Sequence, residues 1–309
     1  MSSEDDIANC KVSIAITTYN GEKYLAEQLD SLYSQTRQPD EVIAVDDCSK
    51  DNTMKILDEY GKKYNLKFYA NDKNLGIAKN FEKAISLCTR DYIMLCDQDD
   101  IWLPQKIEKS LKKIKEIENN EPALVVCENI PVNSNLERTS YLPAKKDSSN
   151  FMDTFFGGGR QGCCMIMNRK LLPLVIPIRH EIYDLYIALI AAMCGAKHNL
   201  AEPLVYYRTH SGNAVGKITK SKIPFMFFLK GLMLKIYNFS VQPAIFEVWQ
   251  SIREQNLPFK SDRLKIADNY SHSKCSSIFK LPCYSFLQKM TLLANTIIFR
   301  IAMAVKGKK

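Results

Sequence analysis

Four apolar-rich runs, each closing on polar residues and separated by helical stretches, constrain this chain most. Residues 12–18, 41–45, 66–70 and 91–96 read as strands, and the near-continuous apolar character of three of them fits burial on both faces of a parallel sheet. Between the first two, residues 22–35 place Tyr24, Leu25, Leu29, Leu32 and Tyr33 at helical spacing, and Pro39-Asp40 ends the pattern. Residues 52–63, with Ser49 or Asp51 as the cap, and residues 77–88 read as two further helices. Strand, helix and strand at this spacing predict an α/β fold with crossover helices. In such sheets ligands bind beyond the carboxyl ends of the strands.

Polar clusters stand at those ends. Thr17-Thr18-Tyr19, Asp46-Asp47 and Asp97-Gln98-Asp99-Asp100 each follow a strand, which brings all three to one edge of the sheet. Three carboxylates in four positions after a buried strand are costly unless positive charge joins them. Mg²⁺ or Mn²⁺ with the diphosphate it neutralises would supply that charge. The alternative is an acidic turn that caps the helix starting near Gln105. No GxxxxGK[ST] is present and no GxGxxG follows the first strand, so neither a P-loop NTPase nor an ordinary dinucleotide-binding fold is supported.

Further along, residues 104–118 read as a helix, 123–127 as a strand, 133–150 as a polar loop and 157–162 as a Gly-rich stretch. Residues 163–167 are strand-like, 182–194 form an apolar helix with Asp184 in its first turn, and 202–210 form a strand running into a Gly/Asn loop. With 46% hydrophobic and 25% charged residues the chain is globular rather than disordered. Its ten cysteines are scattered without a CxxC pair, and Cys88, Cys96 and Cys194 lie in apolar runs. That usage suits a reducing compartment, and the acidic Met1–Asp6 segment is unlike a signal peptide, so a cytoplasmic location is expected. Residues 217–309 hold 16 Lys and Arg against 4 Asp and Glu, a charge of +12 beside −4 for residues 1–216. Residues 222–240 and 284–305 alternate Lys and Arg with bulky apolar side chains, predicting cationic helices on the anionic inner face of a membrane. The alternative for this basic helical extension is packing on the preceding domain or on a second copy of the chain. A polar basic stripe is missing, so nucleic acid is not an expected partner.

Six blocks carry a resemblance: Ser13–Gly21, Val45–Asp51, Asn74-Leu75-Gly76, Cys96–Trp102, Gly162-Cys163 and Glu202–Asn213. In order and spacing they resemble family-2 glycosyltransferases, inverting enzymes of the GT-A fold, and most of all the bacterial rhamnosyltransferase-like branch. The resemblance covers about residues 11–216. It implies a Rossmann-like, mostly parallel sheet with flanking helices in a catalytic domain 1–216, followed by a helical extension 217–309. Within that domain the nucleotide-sugar half spans about 11–103 and the acceptor half about 104–216.

The implied donor is dTDP-rhamnose or a UDP-hexose. The implied acceptor is a glycan or lipid-linked oligosaccharide in bacterial surface polysaccharide synthesis. Thr17, Thr18 and Tyr19 would line the nucleoside, and Asp46 or Asp47 would accept the imide N–H of the base. Asn74, Lys79, Gln98 and Arg208 join the donor site, with Lys79 reaching for the diphosphate and Arg208 pairing with phosphate or an acidic neighbour. The pattern puts the Mg²⁺ or Mn²⁺ on Asp99, with Asp97 on the ribose or a metal-bound water and His210 as a further ligand. Asp100, Trp102, Gly162 and Cys163 fall near sugar or acceptor, Asp100 alternatively capping a helix. Asp184 matches the general base, with Glu181 as substitute; Tyr183 stands where relatives often carry His. Two competing readings remain. A nucleotidyltransferase would need a Gly-rich basic loop after the first strand, which Thr17–Glu22 is not. A glycan-binding scaffold would not need the acidic cluster.

Overall fold

The computed structural model describes residues 7, 9–140, 147–149, 153–154, 161–210 and 241–272. Its first half alternates strand and helix: β1 (Val12–Thr18), α1 (Leu25–Tyr33), β2 (Glu41–Asp46), α2 (Thr53–Tyr64), β3 (Lys67–Ala70), α3 (Ile77–Leu87) and β4 (Tyr92–Cys96). Every residue of β1, β2 and β4 is buried, because helices cover both faces of a parallel sheet. Leu25, Leu29 and Leu32 give α1 one apolar stripe against that sheet. Asp51 starts α2 by accepting the Thr53 N–H at 3.0 Å, and Asn65 ends it in the left-handed region at φ 58°.

The second half adds β5 (Ile101–Trp102), α4 (Lys106–Ile117), β6 (Ala123–Val132), β7 (Met165–Asn168), a short α5 (Leu172–Val175), α6 (Tyr183–Cys194) and β8 (Ala196–Arg208). The sheet order is β3-β2-β1-β4-β7-β6-β8-β5. Pairs β3–β2, β2–β1, β1–β4 and β6–β8 are parallel, while β7 enters antiparallel between β4 and β6 and β5 closes the edge antiparallel to β8. The strand order reverses at β1, so a crevice opens at the carboxyl ends of β1, β2 and β4.

Two strands differ from their sequence patterns. β8 starts at Ala196, six residues before the apolar run at 202–210. Its polar first half is buried by internal pairing: Lys197 donates to Asn199 at 2.6 Å, and the Asn199 and Ser148 main chains exchange hydrogen bonds. β5 is too short for any periodicity and is set by its neighbours: Trp102 N–H donates to Ser31 Oγ at 3.0 Å and the strand pairs with Val205 and Tyr206.

α6 (YDLYIALIAAMC) is apolar on all sides, so it needs cover on all sides. Part of that cover comes from beyond residue 216. In α7 (Val241–Arg253) Ile245, Val248, Trp249 and Ile252 are buried. In the following turn Gln255 hydrogen-bonds Tyr186 at 3.2 Å and Lys260 N–H donates to Met193 O at 2.9 Å. The chain then enters α8 (Ser261–His272), where Arg263 donates to the Gly195 carbonyl at 2.8 Å. Residues 241–272 therefore pack on the α/β body. The cationic segments 222–240 and 284–305, the Gly157–Arg160 stretch and the Gly212-Asn213 end of the last sequence block lie outside the described residues. Among the described residues no helix is long and apolar enough to cross a membrane.

Candidate active site

A cleft of about 390 Å³ opens at the carboxyl edge of the sheet. Of the residues singled out above, it is lined by Thr17, Thr18, Tyr19, Asp47, Asn74, Asp97, Gln98, Asp99, Gly162 and Asp184. Gly76, Ile77, Asn80, Gln161, Tyr183 and Tyr207 complete the wall. Four of these residues are carboxylates, and no Lys, Arg or His is among the described lining residues.

The two aspartates that end β2 do different local work. Asp46 accepts from Thr18 Oγ1 at 2.8 Å, Ser49 N–H at 2.8 Å and Ser49 Oγ at 2.5 Å, and it lies outside the cleft wall. Asp47 lines the cleft and gathers the loop before α3. It accepts from Asn71 Nδ2 at 2.8 Å, Leu75 N–H at 2.7 Å and Gly76 N–H at 2.9 Å. Gly76 holds φ +80°, which a side chain would strain. Asn80, on the first turns of α3, donates to the Val45 carbonyl at 2.9 Å and so ties helix and strand together under this loop.

Gln98 is a clamp. Its Oε1 accepts the Tyr19 N–H at 2.8 Å and its Nε2 donates to the Tyr19 carbonyl at 3.0 Å. The space it takes leaves no room for a Cβ at Gly21, which would sit 2.2 Å from Gln98 Oε1. Tyr19 itself is held half exposed at the mouth.

The acidic turn is layered. Asp97 and Asp99 face the cleft, and burial pushes both carboxyls above the usual carboxylate range, at Asp97 with repulsion from Asp100 and Asp99 and at Asp99 against the opposing pull of His210. His210 Nε2 lies 2.9 Å from Asp99 Oδ2, its ring 5.0 Å from that of Tyr24. Asp100 lies beneath, fully buried and pushed up to about 7 by that burial. Its Oδ1 accepts the Arg208 N–H at 3.0 Å, whereas its Oδ2 is buried with no hydrogen-bond partner among the described residues. Asp97, Asp100 and the buried Cys163 bring a donor atom each within 4.8 Å of one another.

Arg208 braces this turn from behind. Its Nε donates to the Asp99 carbonyl at 2.9 Å, Nη1 to the Ser134 carbonyl at 3.0 Å and Nη2 to Glu27 at 2.6 Å, with the guanidinium 4.3 Å from the Tyr24 ring. Lys79 also lies outside the cleft wall, donating to Glu82 at 2.7 Å and the Ile178 carbonyl at 2.9 Å. Trp102 is buried under the turn, 3.1 Å from the buried Lys106 ammonium, which donates to the Cys163 carbonyl at 2.5 Å.

Asp184 enters from the opposite wall in the first turn of α6. Its Oδ1 accepts the Leu185 N–H at 2.7 Å, and burial pushes its carboxyl up to about 6. A half-buried carboxylate with that proton affinity is suited to take a proton near neutral pH. Glu181 is exposed and outside the wall. Tyr183 and Tyr207 are aromatic lining residues to which the sequence reading gives no site role, although Tyr207 lies in the last block and Tyr183 stands beside Asp184. The available signals are the replacement of His by Tyr beside Asp184 and the place of Tyr207 next to Arg208 in the last block.

Residues 13–173 match the family model described as glycosyl transferase family 2. A dTDP-rhamnosyl transferase, RfbG of Shigella flexneri, is 28% identical over 218 residues, covering 65% of this chain and 73% of that protein. The putative glycosyltransferase EpsE of Bacillus subtilis is 36% identical over 103 residues, 33% of this chain and 37% of that protein. An uncharacterised protein of Mycobacterium bovis is 36% identical over 120 residues, 38% of this chain, and the match spans 34% of its own length. Among solved structures, S. aureus TarS 1-349 in complex with UDP-GlcNAc superposes with a TM-score of 0.57 at 18% identity, covering 93% of this chain and 79% of that one. The likeness to TarS is one of fold, a mixed, mostly parallel sheet with flanking helices. The model match spans more than half the chain and contains the strand-end clusters that build the cleft, and on that ground the chain belongs to glycosyl transferase family 2.

Proposed function

We propose that this protein transfers a sugar, with inversion, from a nucleoside-diphosphate donor to a glycan acceptor in bacterial polysaccharide synthesis. The observation that carries the reading is the convergence of Asp47 after β2, Asp97 and Asp99 after β4 and Asp184 on α6 on one cleft with no lining cation among the described residues. Carboxylates brought together at such cost await a positive partner. The donor set suits a hard divalent ion, and the orphan Asp100 Oδ2 below it is the kind of atom a bound ion or its water satisfies. Asp99 and Asp97 would hold Mg²⁺ or Mn²⁺, with His210 orienting Asp99 or joining it. When bound, the ion offsets the charge of the diphosphate.

The chain's own groups supply the rest. Thr17, Thr18 and Tyr19 form the nucleoside wall, with Asp47 rather than Asp46 on the cleft side for the base. Asp184 accepts the proton of the acceptor hydroxyl as that oxygen attacks the anomeric carbon. The bond from that carbon to the β-phosphate oxygen breaks, and its electrons leave with the nucleoside diphosphate. Attack from the face opposite the leaving group inverts the anomeric centre. A dTDP-rhamnose donor accords with the RfbG relative and a UDP-hexose with the UDP-GlcNAc bound by TarS. The +12 charge of residues 217–309 favours an acceptor presented at an anionic membrane surface.

The test is release of nucleoside diphosphate from dTDP-rhamnose and UDP-hexoses with Mn²⁺ and bacterial lipid-linked glycan. Turnover with one donor that Asp184→Asn abolishes supports the proposal. Turnover equal in wild type and Asp184→Asn rules out the assigned base.

A further inference from the structure

Tyr183 occupies a position that packing alone does not account for. It precedes Asp184 at the start of α6 and lines the cleft with it. Its ring stacks on Phe81, centroids 4.4 Å apart and planes at 22°. A phenylalanine would make that stack equally well. The hydroxyl instead adds crowding: a Cβ at Gly162 would lie 2.2 Å from it, so the phenol occupies room that only a glycine leaves. In return it makes no hydrogen bond among the described residues, and it is not one of the polar atoms sealed from solvent. Helix start, Phe81 stack and Gly162 slot thus fix a phenol oxygen that faces the cleft.

The groups around it narrow what it meets. Burial, then the neighbouring Asp97 and Asp184 carboxylates, hold the phenol above its ordinary range, so it keeps its proton and can donate. It lines the same cleft as Asp97, proposed for the diphosphate end, and Asp184, proposed for the attacking hydroxyl, and both carboxylates are near enough to act on it. In an in-line inversion the transferred ring lies between those two ends. We infer that the Tyr183 hydroxyl hydrogen-bonds a hydroxyl of the transferred sugar, making Tyr183 a sugar-binding residue of this site. The inference rests on the proposed glycosyl transfer and extends it to the donor's sugar half. A neutral donor suits a neutral sugar hydroxyl, since the carboxylates of the wall only accept while ionised.

The test is titration calorimetry on the full chain with Mn²⁺, using UDP, UDP-GlcNAc, UDP-glucose, dTDP and dTDP-rhamnose. Tyr183→Phe keeps the stack and removes one neutral hydrogen bond. It is expected to weaken the sugar nucleotide preferred by wild type about three- to tenfold, and the matching nucleoside diphosphate less than about twofold. Gly162→Ala keeps the hydroxyl but displaces it, and is expected to show the same selective loss. Equal losses on both ligands, or no loss on either, in Tyr183→Phe overturn the inference while leaving glycosyl transfer standing. If wild type binds none of the five nucleotides, the proposed function falls and this inference with it.

Discussion

Replacing Arg208 by Met decides whether this buried cation is a brace or a phosphate ligand. The substitution keeps a linear apolar stem and removes the three side-chain donations. Loss of the donation to the Asp99 carbonyl leaves an acceptor in the tightly packed turn unpaired, at about 1–3 kcal/mol. The guanidinium over Tyr24 contributes about 0.5–2 kcal/mol. Glu27 and Ser134 are exposed and rehydrate, so each partner loses at most about 1 kcal/mol. Together these give about 1.5–7 kcal/mol of destabilisation, read in urea as a lower midpoint at unchanged slope. Mn²⁺ affinity should fall as well, because the Asp99 main chain loses its anchor. A variant with an unchanged urea midpoint that has lost nucleoside-diphosphate binding would refute the brace and make Arg208 a phosphate ligand.

Further outcomes are expected at Asp184 and at Trp249. As general base, Asp184 works ionised, so kcat/KM should rise as pH climbs through about 6. Because its folded-state affinity for a proton lies above the ordinary value near 3.8, ionisation opposes folding. Asp184→Asn should therefore raise the melting temperature more at pH 8 than at pH 5 while lowering turnover at least about 100-fold; an equal shift at both pH values counts against this. Trp249→Ala removes a fully buried anchor of α7 and should cost about 3–5 kcal/mol in a single cooperative transition. A separate early transition would show that residues 241–272 fold independently of the α/β body.

The α/β alternation was legible because β1, β2 and β4 are buried on both faces and carry that burial as apolar runs. The polar ends of those runs located the cleft, since a parallel sheet brings all its strand ends to one edge. Less legible was how the side chains divide the work. Arg208, Lys79 and Asp46 belong to motif blocks or stand near them, yet each is taken up by a partner from distant sequence or a local turn. Periodicity carries no information about such pairings. The first half of β8 was hidden because Lys197 and Asn199 hydrogen-bond each other rather than presenting an apolar face. Tyr183 was visible as an oddity beside Asp184, but its meaning depends on Phe81 and Gly162, which only the fold brings to it.

The central claim is that Asp97 and Asp99 hold a nucleoside diphosphate through a divalent ion. Titration calorimetry of UDP and dTDP, with Mn²⁺ and then with excess EDTA, tests it most directly in wild type and Asp99→Asn. The account predicts binding that needs Mn²⁺ and weakens at least about tenfold in Asp99→Asn, the loss expected when one of few carboxylate ligands is removed. Binding that is equally tight with EDTA, or unchanged in Asp99→Asn, would contradict it.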